Sequence, residues 1–183
     1  MSTAVETTMM EPVETAVGNG LGRVAALAAV AVALQVTIVP HVDIGPLVAT
    51  PNLVVVAVVA IAMLRGVVVG AVTGFVAGIL VELMTPGDTL GVLALAYVAI
   101  GAWCGRFAER PEAPRRIVFV AIAAVAAALI PLWMGAIGVL RGDGLDLGYL
   151  VGSLATPHLV FGLVLAWPVW WAARRLLGAP RAV

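Results

Sequence analysis

Seven polar side chains stand inside otherwise apolar stretches of this chain: Gln35, Asn52, Thr73, Glu82, Ser153, Thr156 and His158. Ionisable groups buried in an apolar stretch mark places where function is to be sought first, and here those are Glu82 and His158. A carboxylate in such a place is either a helix-end group that reaches water or a hydrogen-bonding contact with a neighbouring helix or a partner. His158 follows Pro157, which has no N–H and frees a carbonyl one turn earlier. The imidazole could satisfy such groups, or bind or relay a proton. Ser153 and His158 have the residue types of a nucleophile and its base. Five residues apart on a helix they point about 140° from one another, so they share no face. The chain has no His-Glu-x-x-His pair, no phosphate-cradling glycine loop and no G-x-S-x-G turn. Cys104 is the only cysteine, which excludes an internal disulfide and a thiolate metal cluster. These residues predict a protein that is not an enzyme and carries no cofactor and no metal.

The strongest spacing signal belongs to glycine. Gly66, Gly70, Gly74 and Gly78 fall four residues apart, and Glu82 takes the next place. Glycine inside a soluble helix costs roughly 1 kcal/mol against alanine. In a membrane the missing side chain lets a second backbone approach, and close packing holds the helices together. A step of four residues turns about 400°, so each member is displaced by about 40° from the one before. The series is an inclined ridge that crosses its partner at an angle. That partner is an internal helix or one belonging to another protein. Glu82 lies about 24 Å along the axis from Gly66, near the far end of the helix.

The elements carrying these residues must lie in lipid. The 183 residues are 63% hydrophobic and 11% charged, with a mean hydropathy of +1.14. Soluble domains average about 25% charged residues. Net charge is zero, which offers nothing to a nucleic acid. Six apolar runs are evident, at residues 21–39, 47–64, 66–84, 90–107, 117–140 and 149–172. About 20 helical residues cross a bilayer core, so the expected fold is all-α, with six transmembrane helices. Residues 1–20 are acidic and expected to be a disordered cytoplasmic tail. Residues 21–178 form the membrane domain, and 179–183 a short cytoplasmic end.

Charge orients the bundle. With six crossings and both termini in the cytoplasm, Arg23, Arg65, Arg106, Arg110, Arg115, Arg116, Arg174, Arg175 and Arg181 all lie inside. Only Arg141 lies outside. This is the asymmetry expected of inner-membrane loops. Trp103, Trp167, Trp170 and Trp171 fall at the same face, the last three just ahead of Arg174 and Arg175. They read as interfacial anchors with snorkelling arginines. The basic stretch 108–116 is expected to meet anionic lipid headgroups or else a cytoplasmic protein.

Three stretches carry a family resemblance: QVTIVPHVDIGP from Gln35, TPNLVVVAVVAIAMLRG from Thr50, and GAVTGFVAGILVELMTPGDTLGVLALAYVAIGAWCGR from Gly70. The order of a G-x-x-x-G-[FL]-x-x-G pattern, an acid four residues on, a Leu-Gly pair and a Gly-Arg end resembles the rod shape-determining MreD family. The acid is usually Asp there and is Glu82 here. The resemblance spans residues 21–178. It implies a six-helix fold similar to the substrate-binding component of energy-coupling-factor vitamin transporters. It also implies a non-enzymatic role in the plasma membrane, in the cell-elongation machinery that synthesises peptidoglycan. The implied partners are a bitopic MreC-like protein, MreB, RodA and its transpeptidase partner. On this reading Gly66, Gly70, Gly74, Gly78 and Glu82 are the helix-packing or partner-facing edge. The alternative is a substrate-binding component of a vitamin-type transporter, for which Glu82, Asp88, Asp143 and Asp146 would supply the polar groups.

Overall fold

The computed structural model describes residues 3–37, 51–85, 91–107, 116–142 and 156–178. These form six helices: α1 (Thr3–Thr37), α2 (Leu53–Arg65), α3 (Val67–Met84), α4 (Val92–Gly105), α5 (Arg116–Arg141) and α6 (Thr156–Leu177). Asp43, Asp88, Asp143, Asp146 and Ser153, most of the basic stretch 108–116 and the end 179–183 lie outside the described residues.

The bundle is organised around α2. This helix is apolar all round, and Val54 through Leu64 are each at most 2% exposed. A helix with no polar face must be covered on every side, and α2 touches all five of its neighbours. It has only 13 residues, or about 20 Å. Four helical segments are long and apolar enough to cross a membrane: Gly20–Thr37 within α1, Val67–Met84, Arg116–Arg141 and Thr156–Leu177. α2 and α4 are shorter apolar helices. Of the six full-length crossings expected, the described helices thus supply four by length.

The other helices are two-faced. α1 buries Val24, Leu27, Ala31 and Val32 and exposes Leu21, Val30 and Leu34. α3 exposes Val68, Val72, Phe75 and Val76, and α6 exposes Leu163, Val164 and Trp167. So many large apolar side chains on the outside match a hydrocarbon surrounding. Helical backbone runs from Thr3 through the acidic segment read as a tail, where Ala, Glu and Met favour helix.

Two helix pairs pack around the central rod, α3 with α4 and α5 with α6. The second pair is built from small residues. Ala123, Ala124 and Ala127 of α5 are buried, as are Gly162, Ala166 and Ala173 of α6. A Cβ added at Gly162 would lie 2.8 Å from the Ala124 Cα. Phe119 and Trp170 stack at 4.4 Å near one end of the pair.

Candidate functional site

The glycine ridge lies against α4. A Cβ at Gly70 would stand 2.6 Å from both the Gly101 carbonyl oxygen and the Ala62 Cβ. At Gly74 it would meet the Tyr97 carbonyl, and at Gly78 the Ala94 Cα. The partner side is equally bare. A Cβ at Gly101 would collide with the Gly70 carbonyl, and one at Gly105 would stand 2.5 Å from the Val67 Cα. The paired numbers run in opposite directions, so the helices are antiparallel along the whole seam. Missing side chains on both helices bring the two backbones together, the close-approach packing used between membrane helices. α4 carries this half of the seam at Ala94, Gly101 and Gly105, interrupted by Tyr97.

Gly66 has a different task. The even spacing made it the first member of the ridge, but it is the single-residue link between α2 and α3. Its φ is 94° and its ψ −178°, a region open essentially to glycine alone. A Cβ there would meet nothing within 4 Å. Its N–H donates to the Ala62 carbonyl at 2.8 Å and closes α2. Backbone conformation therefore explains this glycine, where close packing explains the other three.

Glu82 continues the ridge into hydrogen bonding. Its carboxylate accepts from the Gly91 N–H at 2.7 Å and from the Leu93 N–H. Gly91 caps α4 with a left-handed φ of 93° and offers no side chain of its own. The first N–H groups of any helix lack intrahelical partners, and the positive end of the helix dipole favours an anion there. A carboxylate on α3 thus supplies the cap that α4 lacks.

The same device holds α2. The Leu53 N–H donates to Gln35 Oε1 of α1 at 2.6 Å, and the Val55 N–H to Asn52 Oδ1 at 3.1 Å. Tyr97 of α4 donates its hydroxyl to the same Asn52 oxygen at 3.0 Å. At the other end, Arg65 Nη2 donates to the Leu177 carbonyl of α6 at 2.7 Å. Trp133 of α5 donates its indole N–H to the Val92 carbonyl at 3.1 Å. Away from water every such group needs a partner inside the protein. Gln35, Asn52 and Glu82 were visible as lone polar residues in apolar runs. Tyr97 carried the same signal, a single hydroxyl in α4, and sequence reasoning passed over it. The bond from Arg65 joins residues 112 apart, and local pattern carries no trace of it.

His158 lies in the first turn of α6 as described, half-buried and next to Pro157. Of the aspartates considered for a vitamin site, none falls in the described residues, and Glu82 is engaged as a cap. Trp103 is exposed on α4, and Trp167 and Trp171 on α6. Trp170 departs from the expected anchor role: it is 5% exposed and stacks on Phe119 in the core. Trp170 stands about 100° round α6 from Trp171, on the side that packs against Phe119 of α5. Arg174 and Arg175 lie over Trp170 and Trp171, with Cζ 5.9 and 4.0 Å from the ring centres.

The ends of the helices sort by charge. The Arg65–Leu177 bond, the Gly105–Val67 contact and the approach of Arg116 to Trp167 gather Arg65, Arg106, Arg116, Arg174 and Arg175 at one end of the bundle. Gln35, Asn52, Glu82 and Trp133 meet their partners toward the other. Arg141 closes α5 at the end opposite Arg116.

An all-helical membrane protein, joined by glycine seams and by polar groups that close helix ends, is the class this arrangement defines. The family model for MreD, rod shape-determining protein MreD, matches residues 22–178, and the chain belongs to that family. Its role is accordingly in rod shape determination. No curated protein and no solved structure matches the chain.

Proposed function

We propose that this protein is a six-span, non-enzymatic membrane scaffold of the cell-elongation machinery, holding a bitopic MreC-like protein in the plasma membrane. Through that partner it meets MreB, RodA and the transpeptidase that acts with RodA. Both termini lie in the cytoplasm, the side to which nine of the ten arginines are assigned. Residues 21–178 form the membrane domain, with a fold similar to the substrate-binding component of energy-coupling-factor transporters. The family resemblance carries that likeness.

The observation that supports a scaffold best is how the embedded polar groups are used. Gln35, Asn52, Glu82, Tyr97 and Arg65 each bind a backbone group or another side chain at a helix end. A binding pocket needs several polar groups converging on one cavity. A bundle whose polar groups fasten its helices presents a fixed apolar exterior, the surface a partner's membrane helix recognises.

The test is depletion of the chain from its own cells, with cell width and the sites of new wall insertion followed by microscopy. Loss of rod form with dispersed insertion, reversed by the wild-type chain, is expected. Unchanged width and insertion after complete depletion would overturn the reading.

A further inference from the structure

At the arginine-rich end, the start of α5 and the last turns of α6 enclose a groove of about 270 Å³. It is lined by Arg116, Trp167, Trp170, Trp171, Arg174 and Arg175. Arg116 lies over the Trp167 ring with its Cζ 5.8 Å from the centre, and the other two arginines lie over Trp170 and Trp171. Among the described residues none of these three guanidiniums is paired with a carboxylate. Glu82, the carboxylate whose surroundings are described, caps α4 toward the opposite end.

One feature makes this more than a set of surface charges. Trp170 is 5% exposed, and its indole N–H has no hydrogen-bond partner among the described residues. A buried donor without an acceptor is uncommon and calls for a ligand. Phosphate oxygens match planar guanidinium forks and an indole N–H, and the exposed faces of Trp167 and Trp171 suit the level where headgroup meets acyl chain.

We infer that this groove binds the headgroup phosphate of one anionic phospholipid of the adjacent leaflet. Arg116, Arg174 and Arg175 hold the phosphate and Trp170 donates the buried hydrogen bond. The bound lipid bridges α5 and α6 at that end of the bundle.

Native mass spectrometry of the purified full-length chain provides the test, with phosphatidylglycerol competing against phosphatidylcholine. The wild type is expected to keep one phosphatidylglycerol. Replacing Arg116, Arg174 and Arg175 together by Gln should weaken retention by about fivefold per arginine. Trp170→Phe keeps an aromatic ring against Phe119 and removes the donor together with part of the buried ring. It should weaken retention by about tenfold at a temperature where the variant, less stable for its smaller ring, is still folded. This second variant decides the matter even if the triple variant does not fold. Equal retention of both lipids by the wild type, or full retention by Trp170→Phe, would overturn the inference. Displacement of the lipid by millimolar inorganic phosphate would overturn it too, because the ligand would then be the free anion.

Discussion

Glu82 and Tyr97 act on backbone and side-chain groups of neighbouring helices. Glu82→Ala leaves the Gly91 and Leu93 N–H groups without their acceptor. The expected loss is about 1–2 kcal/mol, the scale of a lost helix cap. Glu82→Gln keeps one acceptor and should lose less, with the charge–dipole part removed. Unfolding in mixed micelles, titrated with a denaturing detergent, measures both. If the Gln variant is as stable as the wild type, the carboxylate's second oxygen contributes nothing. Tyr97→Phe should cost about 1 kcal/mol in the same assay, because Asn52 still accepts from Val55 once the hydroxyl is gone. The acids and amides among these residues were legible, since a single polar group in an apolar run is conspicuous in any sequence. What they bind was not legible, because Gln35 and Leu53, or Glu82 and Gly91, meet only when their helices pack.

Between elements, the glycine seam makes its own predictions. Gly74→Leu would drive a side chain into the Tyr97 backbone, which cannot retreat without separating α3 from α4. A loss of at least 1–3 kcal/mol is expected from such overpacking. Gly101→Leu should behave alike from the opposite helix. Gly22→Leu is the control, since a side chain there meets nothing within 4 Å; its stability in mixed micelles should equal the wild type. Gly66→Ala should cost about 1–3 kcal/mol for a different reason, the strained φ, although the site has room. The period of four revealed Gly70, Gly74 and Gly78 directly. It also swept in Gly66, because spacing alone cannot separate a glycine needed for its conformation from one needed for its lack of a side chain. The α4 half of the seam was hidden by Tyr97, a large residue in the middle of a small-residue row. Trp170 was misplaced for a related cause: α6 is apolar on most sides, so its sequence gave no phase from which to tell inward from outward.

For the whole molecule, composition and the arginine pattern were the most informative readings. They foresaw an all-helical membrane protein whose helices alternate in direction. The contacts at Arg65, Gly105 and Arg116 bring basic ends of the described helices together. Less legible was the central position of α2, the shortest of the described helices. Its apolarity on every side signals burial, but its low length suggested only a marginal crossing. A short buried rod fastened at both ends by its neighbours' polar groups gives the bundle one fixed shape. That fixed shape is what a scaffold requires. Affinity capture of the tagged chain from native membranes in mild detergent, with mass spectrometric identification, tests this most directly. The scaffold account predicts recovery of a bitopic MreC-like protein together with wall-synthesis enzymes. Recovery of paired ATPases with a membrane coupling subunit in their place would contradict it.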